Sequence, residues 1–118
     1  MQASPSHPAP FLVLDLAIGA ISTLRPAVAR IRQHDRDLGE QLRRALSSVA
    51  LNIAEGSGAR DGHRVARYSN ASGSNAESRA ALRVAVAWGY VTARDIADGD
   101  AMLDRVGAIL YKLGARRA

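Results

Sequence analysis

Leu38, Leu42, Leu46, Val49 and Ile53 recur at intervals of four, four, three and four residues, which draws one unbroken apolar stripe along a helix. A stripe that long has to be covered. No stretch of the chain shows the period-two alternation of a half-buried strand, so the cover has to come from other helices. Three more are legible. Leu14, Ile18, Ile21, Val28 and Ile31 predict a first helix from about Pro10 to Gln33, with Pro10 suited to its first turn and Pro26 expected to kink it. A third helix, rich in small residues, is predicted from about Gly62 to Trp88 and ends at Gly89-Tyr90-Val91. Ile96, Leu103, Val106, Leu110 and Leu113 mark a fourth. Asp37-Leu38-Gly39-Glu40 and Thr92-Ala93-Arg94-Asp95 have the form of capping boxes opening the second and fourth helices. Gly56, Gly58 and Asp61-Gly62 mark the turn between the second and the third. Four apolar-faced helices with short links pack as an all-α, antiparallel up-down four-helix bundle. The expected organisation is a flexible lead-in over residues 1–9 and a single bundle domain over 10–115.

The chain has 118 residues and is 47% hydrophobic, a globular composition of single-domain size. It contains no cysteine, which excludes disulfides, thiolate metal sites and a cysteine nucleophile. The first ten residues lack a basic leader, and Asp15 interrupts the apolar run that begins at Phe11. Neither a signal peptide nor a membrane span is expected, and a cytoplasmic location is. Net charge is +5, and all sixteen basic residues except Lys112 are arginine. Positive charge favours nucleic acid, but aromatics make up only 4% of the chain. The phosphate backbone is therefore the expected target rather than extensive base stacking.

Beside the leucine stripe of the second helix, Arg44, Ser48, Asn52 and Glu55 share a face, and Asn70, Ser74 and Glu77 share one on the third. A hairpin turning near residue 59 sets Arg44 within a turn of Glu77, Ser48 opposite Asn70, and Glu55 near His63 and Arg64. The expectation is an Arg44–Glu77 ion pair within a polar seam that fixes helix register. Two carboxylates also invite a catalytic reading, but Glu55 and Glu77 fall turns apart along the bundle. The three histidines, His7, His34 and His63, lie in different segments, so no metal set and no cofactor is expected. Arg60, Arg64 and Arg67 stripe the start of the third helix at spacings of four and three. They are the candidate phosphate contacts, set against the alternative that they pair with Glu55, Asp61 or another subunit. Arg116-Arg117 reads as a solvated tail. Leu82, Val84, Val86 and Trp88 spread around the third helix, which points to a central helix or to self-association.

The ordered set Arg43-Arg44-Ala45, Ser48, Asn52-Ile53-Ala54-Glu55-Gly56, Ala71, Gly73-Ser74, Glu77, Leu82 and Gly89-Tyr90-Val91 resembles the 23S rRNA intervening-sequence protein family, over about residues 11–113. The resemblance implies a small bacterial cytosolic four-helix bundle that assembles as a homopentameric ring, and it implies no enzymatic activity. Some members are encoded within insertions in 23S rRNA genes. The similar accessory protein of diversity-generating retroelements binds nucleic acid and partners a reverse transcriptase. This chain departs from the family pattern at Arg67, where an aromatic is usual, and at Ser72, Asn75 and Ser78, where apolar side chains are common. The leading expectation is a non-catalytic oligomeric scaffold holding RNA or DNA backbone. The alternatives are a protein–protein adaptor without nucleic-acid binding, and an enzyme or ligand-binding bundle using Glu55 or Glu77.

Overall fold

The computed structural model describes residues 9–115, and the expected lead-in and the Arg116-Arg117 tail lie outside them. Four helices follow one another: α1 (Ala9–His34), α2 (Arg36–Ser57), α3 (Asp61–Trp88) and α4 (Ala93–Lys112). There is no strand among the described residues. Each helix packs on its neighbour in sequence, and α4 returns to α1, which closes an up-down four-helix bundle.

The ends of the helices have local causes. Asp35 alone separates α1 from α2, and its side chain accepts from the Leu38 amide at 3.0 Å. The cap is therefore Asp35 and not Asp37, and the expected Asp37–Glu40 box does not form. Leu38 occupies the third helical position and has nothing to return. Glu40 turns away to Arg32 at 2.7 Å and Arg43 at 3.3 Å. At α4 the expected box is complete: the Asp95 amide donates to Thr92 Oγ1 at 3.2 Å, and the Thr92 amide to Asp95 Oδ2 at 2.8 Å. Gly89 ends α3 in the left-handed conformation, φ 79°, which a side chain would resist.

The core has two lobes. Leu24, Ile31, Leu42, Leu46, Leu82 and Leu103 centre one, towards the α1–α2 corner. Val13, Val49, Ile53, Tyr68, Val106 and Leu110 centre the other, towards the α2–α3 turn. Along α1 the buried seam is Val13, Ala17, Ala20, Leu24, Ala27, Val28 and Ile31. The expected stripe was rotated off it in the first half of the helix: Ile18 is 49% exposed, while Leu14 and Ile21 lie half-buried at its edge. Ala17 and Ala20 let α1 approach closely on that part of the seam, so Ile18 and Ile21 fall outside it. By length and composition Leu12–His34 would reach across a bilayer, with a mean hydropathy of 1.6. In the bundle its seam packs against α2 and α4, as a core helix does.

Glycines mark the tightest crossings. A Cβ on Gly99 would collide with the Leu24 side chain, and one on Gly39 would come within 2.8 Å of the Arg32 Cα. Gly56 lies within α2 and is buried, not in the turn as its sequence neighbours suggested. Its bare Cα faces the ring of Tyr68, itself 1% exposed.

Candidate functional site

The polar seam assembles, but about one helical turn away from the expected register. Ser48 Oγ meets Ser74 Oγ at 2.8 Å, and Asn52 Nδ2 donates to the Ser48 carbonyl at 2.9 Å and to its hydroxyl at 3.0 Å. Ser78 continues the chain by donating to the Ser74 carbonyl at 2.8 Å. Ser48 thus faces Ser74 instead of Asn70, and Glu55 faces Arg67 instead of His63 and Arg64. Arg44 and Glu77 do not pair. Gln41 Nε2 donates to Glu77 at 3.3 Å, and Arg44 is left exposed on the outer face of α2. The seat of Tyr68 on Gly56 accounts for the shift, because it fixes which turn of α3 lies against the end of α2.

Of the six seam residues, then, Ser48, Asn52 and Ser74 come together as a hydrogen-bonded group, while Arg44, Glu55 and Glu77 lie outside it. The group carries out no evident chemistry: no histidine or carboxylate is bonded to either serine. Among the described residues no cluster of three or more His, Asp or Glu forms. Two of the polar departures from the family pattern are buried. Ser78 is satisfied by its own helix, and Asn75 spans to α4, donating to the Leu103 carbonyl at 2.9 Å. Asn75 Oδ1 and the Tyr68 hydroxyl are buried with no hydrogen-bond partner. Burial pushes the Tyr68 hydroxyl above its ordinary pKa, against the opposing charge of Arg64.

The three candidate arginines of the α2–α3 corner diverge in role. Arg60 caps α3 through its backbone only and is exposed. Arg64 folds back, donating Nε at 3.3 Å and Nη2 at 3.0 Å to the Ala59 carbonyl. Arg67 reaches Glu55 at 3.8 Å with both side chains about half exposed, a loose surface pair. The Asp61 side chain, a candidate partner for the stripe, lies outside those described.

A second basic surface escaped the sequence reading. Arg43, Arg44, Ser47, Ser48, Leu51 and Asn52 line an open groove of about 400 Å³ on the outer face of α2. Arg43 and Ser47 also border a smaller groove of about 230 Å³, floored by Ile21, Val28 and Leu46 and flanked by Arg25. The two adjoin at Arg43 and Ser47, the smaller apolar at its floor and both cationic at the rim. Leu51, 65% exposed, stands in the larger. Other arginines are taken up by carboxylates. Arg79 forks onto Asp100 at 2.9 Å and Asp104 at 2.9 Å, and these contacts raise its pKa further, the Asp100 bond most. Glu40 is held below the usual carboxylate range by its bond from Arg43 and by the Arg32, Arg43 and Arg44 charges. The acidic residues four apart on α4, facing an arginine on α3, were the sequence signal for the Arg79 fork.

The family model of the 23S rRNA-intervening sequence protein matches residues 24–112, from mid-α1 to the last residue of α4. The chain belongs to this family. The matched span holds the hydrogen-bonded serines, the arginines of both basic surfaces and the Gly56–Tyr68 contact, whereas Val13, Ala17, Ala20 and Ile21 precede it. No curated protein and no solved structure matches the chain.

Proposed function

We propose that this member of the 23S rRNA-intervening sequence protein family is a non-catalytic, self-associating cytoplasmic scaffold that holds nucleic-acid backbone on its arginines. The observation that carries the reading is the uneven pairing of charge. Arg30, Arg32, Arg43, Arg67 and Arg79 take up carboxylates. Arg25, Arg44, Arg60 and Arg64 meet none among the described side chains, and Arg25 and Arg44 border adjoining grooves. Guanidinium forks left free on a surface with net charge +5 suit phosphate oxygens. Ser47, Ser48 and Asn52 beside them supply further hydrogen-bonding groups without base-reading geometry.

Self-association rests on the apolar floor of the smaller groove, on Leu51 in the adjoining one, and on the exposed Ile18 of α1. A homopentamer, the assembly that the family resemblance implies, would repeat each arginine cluster around a ring and strengthen its field. Light-scattering mass across a salt series, with and without a labelled RNA and a duplex DNA, tests both parts. The expected result is an oligomer that binds at low salt and lets go steeply as salt rises. If three phosphates are neutralised, affinity falls about 40-fold between 50 and 200 mM salt on duplex DNA. A monomer removes the assembly, and an oligomer indifferent to both nucleic acids turns the reading to a protein adaptor.

A further inference from the structure

Five aromatic residues cannot line a nucleic-acid groove, but two of them join a histidine at one end of the bundle, where Tyr90 packs against the leucine lobe and Trp88 stands outside it. Trp88 is the last residue of α3 and is 69% exposed. Gly89 then turns the chain with φ 79°, and the Tyr90 amide returns to the Ala85 carbonyl at 3.0 Å. The turn brings the Tyr90 ring to 6.4 Å from the Trp88 ring, with the planes 17° apart. Tyr90 also lies 5.2 Å from His34, the last residue of α1, at 8°. The Tyr90 hydroxyl donates to Asp35 Oδ2 at 3.4 Å, and the other oxygen of that carboxylate caps α2. Burial, then the Asp35 charge, hold Tyr90 protonated by raising its pKa.

Tyr90 is thereby held by backbone and side-chain bonds with the His34 and Trp88 rings nearly parallel to it, and Trp88, the largest of the three, leaves most of its surface in water. Trp88 belongs to neither core lobe. Arg83, Ala87, Ala93 and Ala97, together with the paired Arg79 and Asp100, line a groove of about 450 Å³ between the end of α3 and the start of α4. Arg83 and Arg94 are exposed and meet no carboxylate among the described side chains.

We infer that the His34–Tyr90–Trp88 stack is a platform for an unpaired nucleobase, with Arg83 and Arg94 placed for the phosphates of the same strand. The site presupposes the nucleic-acid reading above and adds to it a preference for single strands. A planar π face prolongs a stack of parallel rings, and it does so without sequence preference because every base has one. A helix of another protein would instead fill the groove with side chains and has no use for parallel ring planes. Bases inside a duplex are already stacked on their neighbours, so a duplex offers the platform only its ends. Tyr90, the middle partner of both ring contacts, is held before any ligand arrives, which lowers the ordering cost of binding.

Trp88 is the only tryptophan in the chain and reports on its own site. The probes are a short oligothymidylate, an abasic strand of equal length and a blunt duplex, titrated at low salt while Trp88 emission is followed. Oligothymidylate is expected to quench the emission and the abasic strand to bind without quenching. Trp88→Ala should weaken oligothymidylate binding about tenfold or more, and leave abasic-strand binding within about twofold. Trp88→Phe, which keeps a flat face, should retain most of the affinity. Circular dichroism melting of each variant confirms the fold, and the wild-type quenching stands independently of it. Oligothymidylate binding without quenching, or with unchanged affinity in Trp88→Ala, overturns the platform and leaves the backbone reading intact. Failure of every probe to bind at low salt overturns both. A shielded, blue-shifted emission together with loss of particle mass in Trp88→Ala would show that a second copy covers the indole, which also overturns the platform.

Discussion

Replacing Gly56 with alanine adds one methyl group to the end of α2 and should destabilise the bundle, although alanine is the better helix former. The new Cβ would stand 2.5 Å from Tyr68 Cε1 and 2.7 Å from Cδ1, where about 3.5–4.0 Å is the comfortable separation. The ring therefore has to retreat by roughly an ångström. It is 1% exposed and enclosed by the lobe that contains Val13, Ile53 and Leu110, so little space receives it. Overpacking of this kind costs about 1–3 kcal/mol, and the helix preference of alanine offsets up to ~1 kcal/mol. The net expectation is a loss of about 1–2 kcal/mol, or a fall in Tm of about 4–8 °C for a domain of this size. Gly62→Ala provides the control. A Cβ there meets nothing within 4 Å, so the same change in the first turn of α3 should be neutral or raise Tm by a few degrees. Both variants are to be melted by far-ultraviolet circular dichroism at one fixed protein concentration, because assembly makes Tm depend on it. A Tyr68→Leu background should relieve most of the Gly56→Ala penalty, giving a coupling of about 1 kcal/mol. Gly56→Ala melting at or above Gly62→Ala would refute the account of the contact and, with it, the explanation of the α2–α3 register.

Further outcomes are expected at three residues. Tyr68→Phe removes a buried hydroxyl that has no partner, so stability at neutral pH should hold or rise by up to about 1 kcal/mol. The raised Tyr68 pKa means that the folded state favours the protonated phenol, so wild-type stability should fall as pH rises past about 10 and that fall should shrink in Tyr68→Phe. Asp95 is held below its ordinary value by the Thr92 amide, then by the Thr92 hydroxyl and the Arg30 charge. Its contribution is present above about pH 4 and lost as pH falls through the lower folded value, so Asp95→Asn should flatten the acid limb of a stability–pH curve. Arg79→Met breaks the fork to Asp100 and Asp104 on a partly exposed surface, and should cost about 1 kcal/mol in denaturant titrations at low salt and less at high salt.

The helices themselves were legible because period and caps agree. The first was expected from Pro10 to Gln33 and runs from Ala9 to His34, and the Thr92 box fell where its residues stand. What the sequence hid depended on tertiary contacts. Asp35 and Asp37 are equivalent as caps until the end of α1 is known, and that end carries His34 against Tyr90, a residue far along the chain. The small residues of α3 tolerate several registers, so the pairing of Arg44 with Glu77 looked as sound as the one that forms. A single large ring seated on a single glycine decides between them. In the candidate site, Ser48, Asn52 and Ser74 were recognisable as a group. The smaller groove across α1 and α2 was not, because it draws Arg25, Ile21 and Arg43 from two helices whose relative rotation no local pattern reveals.

Helices adjacent in sequence are also adjacent in space, and among the principal helix pairings only α1 against α4 joins distant parts of the chain. Such a fold has low contact order, and its hairpins can close on the fast timescale of local contacts. The α1–α4 interface has to wait for nearly the whole chain. Its tight point is Leu24 over Gly99, inside the leucine lobe. Contacts made after the folding barrier govern how quickly a native protein opens more than how quickly it forms. Substitutions at Gly99 thus bear on the lifetime of the closed bundle, while those at Gly56, within the local α2–α3 hairpin, bear on how soon it closes.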